Sequence, residues 1–171
     1  MRLTIKTNIA MRTLMCCAVN PGAALRKADI AATCNASENH LAQVISLLGN
    51  AGFLKTLRGR NGGVTLGRPA EEINVGEVFR TLEQSVPFIE CFDAERNACP
   101  IAGCCRLKMA LANALNAFYD SLDVLTLADL VTDNCQLEAV LSMPEAFTAT
   151  CRTPNASPDH RAQPTPPAAG L

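Results

Sequence analysis

The sequence has few aromatic residues: of its 171 residues, six are Phe, one is Tyr and none is Trp. Proteins that bind single-stranded nucleic acid stack its bases on aromatic side chains, so the composition argues against that class. Long apolar runs are also missing, since none approaches the ~20 residues that a membrane span requires. The stretch before Val19 is a poor signal peptide because Arg12 interrupts it. We therefore predict a cytoplasmic protein with no membrane segment.

Enzyme motifs are absent as well. The sequence has no P-loop, no dinucleotide-binding glycine pattern and no Ser-His-Asp set, and its only histidines are His40 and His160. Hydrophobic residues make up 49% and charged residues 18%, which is ordinary globular composition. The sequence predicts a globular protein that is not an enzyme.

The net charge of −1 hides two halves of opposite sign. Residues 1–70 contain nine Lys or Arg and two acidic residues, whereas residues 71–171 contain six basic and fourteen acidic residues. A basic half suggests a polyanion partner, most simply double-stranded DNA. The alternative is a solvated basic surface with no partner.

The basic half has the element order of a winged helix-turn-helix. Apolar spacing predicts helices at about 4–19, 27–33 and 37–51. Two strand-like runs, Phe53–Leu57 and Val64–Leu66, flank a basic segment that contains Asn-Gly, a strong hairpin signal. We therefore predict a mainly α fold in which residues 1–70 form a DNA-binding domain with a two-stranded β wing.

The acidic half has a different organisation. We predict a connecting helix in 71–85, a cysteine-bearing loop in 86–105, a long helix and a short one in 106–132, and a largely disordered tail in 133–171. The long helix has apolar residues for both the core and a second copy, so it predicts a homodimer. A core helix in a monomer is the alternative.

Nine cysteines are unusual in a chain of this length. A reducing compartment argues against a disulfide framework, and we expect Cys135 to be an ordinary surface thiol. Cys91, Cys99 and Cys105 have the spacing C-x7-C-x5-C, without the short C-x2-C pairs typical of zinc. Three thiolates on one loop suit an iron–sulfur cluster and leave one iron open to a weaker ligand. The alternative is that these cysteines face the core.

Candidate DNA contacts lie on the third helix and the wing. The third helix also begins with Glu38, whose carboxylate can accept a hydrogen bond from cytosine N4 but is repelled by phosphate. A plain solvated face is the alternative for His40 and Ser46. The predicted contact residues are Asn39, His40, Gln43, Ser46, Arg58, Arg60 and Asn61.

Several motifs together resemble the NsrR-type nitric-oxide-sensing iron–sulfur repressors, in the winged-helix family that also includes IscR. The resemblance covers about residues 1–132, in the order of the predicted elements. It is carried by Met1-Arg2-Leu3-Thr4, Ser37-x-Asn39-His40-Leu41-x-x-Val44, Arg58-Gly59-Arg60-Asn61-Gly62-Gly63, Glu90-Cys91-Phe92, Cys99-Pro100-x-x-x-Cys104-Cys105-Arg106-Leu107-Lys108 and Leu125-Thr126-Leu127-Ala128-Asp129-Leu130.

This resemblance implies a cluster held by Cys91, Cys99 and Cys105. It also implies a fourth ligand from the first helix of the other protomer, at the position of Asn8. The family has an acidic residue there, and an amide oxygen is a poorer iron ligand than a carboxylate. Cys104 or Cys16 could substitute, because Asn8 and Cys16 share a predicted helix face, but we favour a labile or water-occupied position.

The resemblance and the residues lead to one main hypothesis. The protein is a repressor that binds a palindromic operator as a homodimer and releases it when nitric oxide degrades or nitrosylates a 4Fe-4S or 2Fe-2S cluster. One alternative is a regulator of the same family that senses iron or cluster status. An alternative of another class is a small iron–sulfur redox protein, which would not need a basic wing.

Overall fold

The computed structural model describes residues 3–59, 62–83, 88–93 and 95–143. Short 3-10 turns occur at Ala70–Glu72 and Glu90–Phe92. The helices and strands are α1 (Ile5–Val19), α2 (Lys27–Thr33), α3 (Glu38–Asn50), β1 (Leu54–Leu57), β2 (Gly63–Leu66), α4 (Val75–Glu83), α5 (Arg106–Asp123), α6 (Leu127–Val131) and α7 (Cys135–Leu141).

Local capping explains where the helices of the DNA-binding half begin. The Thr4 side chain accepts from the backbone N–H of Thr7 and starts α1, and the Ser37 hydroxyl accepts from the N–H of His40 at 3.3 Å and starts α3. Between α2 and α3, Asn35 has φ 47°, a left-handed conformation that Asn tolerates and that turns the chain sharply. α2 and α3 therefore form the predicted helix-turn-helix.

The wing is an antiparallel pair of strands with Leu54 opposite Leu66 and Leu57 opposite Gly63. An isolated bridge between Leu25 and Val64 joins β2 to the connection between α1 and α2. The wing is thus hydrogen-bonded to the helical body through β2. The mainly α winged-helix prediction is confirmed.

One hydrophobic core joins the DNA-binding half to the helices that follow it. It includes buried side chains from α1, α2, α3, β1, α4 and α6 and from the segments that precede β1 and α4. Its large, fully buried side chains include Leu14, Leu41, Phe53, Ile73 and Leu127. Since Leu127 of α6 lies in this core, α6 packs on the same body as the wing.

α5 lies on the outside of this body. Its C-terminal end is held by Arg80, which makes two hydrogen bonds of 2.5 Å to the Asp123 carboxylate and stacks 4.6 Å from the Tyr119 ring centroid. No residue of α5 is buried, and Leu107 and Met109 are each 64% exposed. The helix ends at Asp123, within the predicted 106–132 segment.

The prediction of a disordered tail from residue 133 is wrong at its start, because α7 packs on the body. Asn20, 1% exposed, donates to the Leu141 carbonyl at 2.9 Å and accepts from the Met143 N–H at 2.8 Å. Two backbone groups of the segment are thereby satisfied by one buried amide. Cys135 is disulfide-bonded, so the expectation of an ordinary surface thiol is wrong as well.

Residues 144–171 lie outside the described part, including the rest of the predicted tail. Within the part that is described, no helix is both long and apolar enough to cross a bilayer.

Candidate functional site

The side of α3 that faces away from the core carries the predicted DNA-contact residues. Leu41, Val44 and Leu48 are buried, which orients the helix. The four predicted contact residues of this helix are all exposed: Asn39, His40, Gln43 and Ser46. Their side chains form a continuous polar face that is available to a major groove.

Glu38, the first residue of α3, forms an ion pair with Lys27, the first residue of α2. The Lys27 Nζ lies 3.1 Å from the Glu38 Oε2, and the two side chains are 44% and 54% exposed. This pair links the starts of the two helices of the helix-turn-helix. This ion pair could not be predicted from the sequence, because nothing in the spacing shows that the two helix starts lie side by side.

The wing presents basic side chains next to α3. Arg58 is exposed directly after β1, as predicted, while Arg60 and Asn61 lie outside the described residues. Lys55, also exposed on β1, was not among the predicted contacts. Its position on a strand that leads into an arginine-rich hairpin is the sequence signal that could have identified it.

The cysteine-bearing loop is shaped by carboxylates and amides that accept from its backbone. The Glu90 carboxylate accepts from the N–H of Ala98 at 2.9 Å, and the Asp93 carboxylate accepts from that of Arg96 at 3.1 Å. Asn97 accepts from the N–H of Cys99 at 3.0 Å. These bonds hold the irregular loop without a helix or strand, consistent with its lack of periodicity.

Cys91, Cys99 and Cys105 are half-buried free thiols on this loop, while Cys104 is exposed. Cys105 caps α5, since its Sγ accepts from the backbone N–H of Lys108 at 3.4 Å. Cys91 and Lys108 line the same cavity of about 450 Å³ between the loop and α5. A positive side chain and a helix N-terminus therefore lie beside two of the three predicted ligand cysteines.

The donor chemistry of this loop fits an iron–sulfur cluster, which is commonly held by cysteine thiolates. Among the described residues, however, no three His, Cys, Asp or Glu side chains converge on one point where a metal ion could sit. The structure brings Cys91, Cys99 and Cys105 to one loop and does not bring their sulfur atoms together. Their role as a ligand set stays a prediction.

The two candidate ligands on α1, Asn8 and Cys16, lie in different environments. Asn8 and Arg12 are exposed, and the Arg12 Nη1 donates to the backbone carbonyl of Cys34 at 3.0 Å. Cys16 is 0% exposed, with its Sγ directed at the Leu141 carbonyl. Asn8 and Cys16 lie about two turns apart on the same continuous helix, but α7 covers the end of α1 where Cys16 lies and leaves Asn8 exposed.

The remaining thiols of the helical body form part of the core. Burial raises the pKa of Cys17 to about 12. A hydrogen bond between Cys16 and Cys34, together with burial, raises the pKa of Cys16, and that hydrogen bond and the Arg12 charge lower the pKa of Cys34. All three side chains are buried, so these cysteines behave as small core residues rather than ligands.

Comparisons with known proteins agree on the kind of protein. The chain is 42% identical over 146 residues to the HTH-type transcriptional regulator NsrR of Bacillus subtilis, covering 85% of this chain and 100% of that protein. It is 43% identical over 145 residues to Protein aau3 of Rhizobium meliloti, covering 85% of this chain and 94% of that protein.

Solved structures of similar fold include T. potens IscR, with a TM-score of 0.63 and 27% identity over 78% of this chain and 88% of that one. Another is CymR, the global cysteine regulator of B. subtilis, with a TM-score of 0.57 and 29% identity over 77% of this chain and 97% of that one. The family model Rrf2, described as "Iron-dependent Transcriptional regulator", matches residues 3–133. The chain therefore belongs to the Rrf2 family of transcriptional regulators.

Proposed function

We propose that this protein is a dimeric repressor that binds a palindromic operator in the cytoplasm and releases it when nitric oxide reacts with an iron–sulfur cluster. The observation that carries the proposal is the position of three half-buried free thiols, Cys91, Cys99 and Cys105, on one loop at the start of α5. This loop belongs to a chain whose other half is a basic winged helix-turn-helix.

The DNA-binding part of the proposal rests on shape and charge. The exposed polar face of α3 suits base edges in the major groove, and Arg58 and Lys55 on the wing suit the backbone or the minor groove. Basic side chains that neutralise phosphates supply most of the non-specific affinity. We infer that α3 selects the operator and the wing stabilises the complex.

The sensing part rests on the cysteine loop. Cys91, Cys99 and Cys105 would hold the cluster, and Lys108 and the N-terminus of α5 would offset the negative charge of the thiolates. When bound, a three-cysteine cluster supplies an iron with one exchangeable position, which a small molecule can reach. The chain's contribution is to expose that position and to leave only Asn8 of a second protomer, a weak ligand, to cover it.

The dimer part rests on the apolar surface of α5. Leu107 and Met109 are each 64% exposed, and Val124 just after the helix is 77% exposed. A long helix that presents large apolar side chains to water in one chain is typical of a helix that packs against a second copy. Because the cysteine loop directly precedes α5, a conformational change in that loop would shift α5 and so alter the dimer interface.

The experiment uses the full-length protein purified without oxygen. Its absorbance spectrum is recorded before and after nitric oxide, and its binding to labelled duplexes from its own promoter region is followed by fluorescence anisotropy. We expect a visible cluster chromophore that decays with nitric oxide, and operator affinity that falls in parallel. Arg58→Ala is a control that should weaken binding without changing the spectrum. A colourless, iron-free protein would contradict the sensing part and leave only the DNA-binding part.

A regulator that responds to iron or cluster supply is a second candidate. It is supported by the description of the matching family model, which names iron and no nitric oxide. The same anisotropy assay distinguishes the two, because an iron chelator and nitric oxide are added in separate samples. Release by the chelator with no response to nitric oxide at matched doses would favour iron sensing.

A further inference from the structure

The helix proposed to enter the major groove begins with a carboxylate, although the half of the chain around it is basic. Residues 1–70 contain nine basic residues and only two acidic ones, Asp29 and Glu38. Both are exposed, but Asp29 lies inside α2, whereas Glu38 is the first residue of α3. In a helix-turn-helix, the N-terminal residues of the second helix contact the base edges. Glu38 is therefore the acidic residue placed to contact bases.

Within the fold, the Glu38 carboxylate contributes little to stability. The N-terminus of α3 is already capped by the Ser37 hydroxyl, which accepts from the N–H of His40. The ion pair with Lys27 joins side chains that are 44% and 54% exposed, and exposed pairs of this kind contribute little to stability. On DNA the same carboxylate is repelled by the phosphates. The helix dipole favours a carboxylate in the first turn of α3, but only modestly, and it does not offset the repulsion by the phosphates.

A direct contact with a base accounts for the negative charge at this position. In the major groove, the cytosine N4 amino group is a donor that a carboxylate accepts from, whereas guanine O6 and N7 and thymine O4 are acceptors that repel it. Adenine also has a donor, N6, but the acceptor N7 beside it repels a carboxylate. The Lys27 Nζ, 3.1 Å from the Glu38 Oε2, partly neutralises the carboxylate and keeps it beside the start of α3. Lys27 also starts α2, the helix that crosses the phosphate backbone in this motif.

We propose that Glu38 is a specificity-determining residue that accepts a hydrogen bond from a cytosine amino group in each operator half-site, and that Lys27 positions its carboxylate. The proposal rests on the operator binding put forward above. It specifies that the start of α3 selects cytosine. It also explains how the negative charge of Glu38 is tolerated beside DNA, through the ion pair with Lys27.

The test is selection from a randomised duplex library by the full-length protein, followed by sequencing of the bound DNA. Wild type is expected to enrich cytosine at one position of each half-site. Glu38→Ala should lose that preference by roughly 5- to 100-fold, the range for a good base contact, and keep the preferences at other positions. Glu38→Gln should shift the position toward adenine, the base that a glutamine amide pairs with. Asp29→Asn, which removes the same charge from α2, is the matched control and should keep the cytosine.

A second measurement tests the part assigned to Lys27. Anisotropy on the selected operator should show weaker binding for Lys27→Ala, because the carboxylate is then unbalanced near the phosphates. On a duplex of unrelated sequence, adding Glu38→Ala to Lys27→Ala should recover part of the lost affinity. Equal losses from Lys27→Ala with and without Glu38 would show that the two side chains act independently and would overturn the positioning role.

The selection also has outcomes that overturn the main inference. Identical preferences for wild type and Glu38→Ala would do so, and so would an equal loss of the cytosine in Asp29→Asn, which would indicate a general effect of charge. The selection is carried out with the wild type first. If the wild type enriches no sequence, the proposed binding to an operator is itself contradicted. Failure of the inference and failure of the proposed function are thereby distinguished.

Discussion

At the scale of single residues, the cysteines differ in burial and in their hydrogen-bond partners, and these differences indicate different roles. Cys17 is buried, and its pKa is raised to about 12, so it stays a protonated thiol at neutral pH. Cys105 is half-buried and accepts a hydrogen bond from the backbone N–H of Lys108 at the start of α5. The same side chain therefore serves as core filling in one half of the chain and as a candidate ligand in the other.

Alanine substitutions should reveal this division. Cys91→Ala, Cys99→Ala and Cys105→Ala are each expected to abolish the cluster chromophore, because three thiolates are the smallest set proposed to hold it. Absorbance and iron content of anaerobically purified protein measure this. Cys104→Ala, at the exposed neighbour, is the control and should keep the chromophore. The assignment within the pair is wrong if Cys104→Ala is colourless and Cys105→Ala is not.

Position 8 should set the lifetime of the cluster. Asn8 is exposed on α1 and therefore accessible to a second protomer. Asn8→Asp introduces a hard anionic oxygen of nearly the same shape, so it is expected to slow cluster loss under a fixed nitric oxide dose several-fold. Decay of the absorbance in wild type and variant gives the comparison. Equal rates with equal iron content would show that position 8 is not at the cluster.

At the scale of elements, close backbone approaches decide where the wing lies. Gly63 opens β2, and a Cβ atom there would lie 2.7 Å from both the carbonyl carbon of Ala24 and the carbonyl oxygen of Leu25. Those neighbours are backbone atoms that are themselves held by the bridge between Leu25 and Val64. The contact between the wing and the helical body therefore leaves no room for a side chain at this strand position.

Gly63→Ala should consequently destabilise the protein by about 1–3 kcal/mol, the usual cost of overpacking. Urea unfolding followed by circular dichroism measures the change in the free energy of unfolding. Gly103→Ala is the matched control, since a Cβ there meets nothing within 4 Å. If both variants unfold at the wild-type midpoint, the wing does not pack on the α1–α2 connection as described.

The apolar surface of α5 leads to a prediction about association. Leu107→Glu places a charge in the proposed interface and should convert the dimer to a monomer, because an unpaired charge is costly to bury. Sedimentation velocity at micromolar concentration measures the mass. Val140→Glu on α7, at a side chain that is 68% exposed, is the control and should leave the dimer intact. A dimer that survives Leu107→Glu would place the interface elsewhere.

At the scale of the whole molecule, a single buried amide links the two ends of the described chain. Asn20 follows α1 and bonds to Leu141 and Met143, more than a hundred residues later. The adjacent Cys16 is covered by the same segment. α7 is thus part of the body that carries the DNA-binding helices, rather than an appendage.

Asn20→Ala should destabilise the protein by about 2–4 kcal/mol, since it removes the hydrogen bonds of a buried amide to the Leu141 carbonyl and the Met143 N–H. It should also make Cys16 reactive toward a thiol-labelling reagent, because α7 would cover that thiol less tightly. Thermal unfolding measures the loss of stability, and mass spectrometry of the labelled native protein measures the reactivity of Cys16. Asn50→Ala, at an exposed helix end, is the control and should change neither. A fully protected Cys16 in the variant would show that α7 is held by other contacts.

The sequence by itself determined the helices and strands of residues 4–131, because caps, apolar spacing and the hairpin turn act between residues that are near in the chain. It also indicated the exposed face of α3, since that face follows from the residues that must be buried. The proximity of distant residues was decided only by the tertiary structure. Cys16 is buried while Asn8 on the same helix stays exposed because α7 covers one end of α1, and Glu38 meets Lys27 because two helix starts pack side by side. Such contacts depend on how whole elements pack around the shared core, and the spacing of residues along the chain carries no record of that packing.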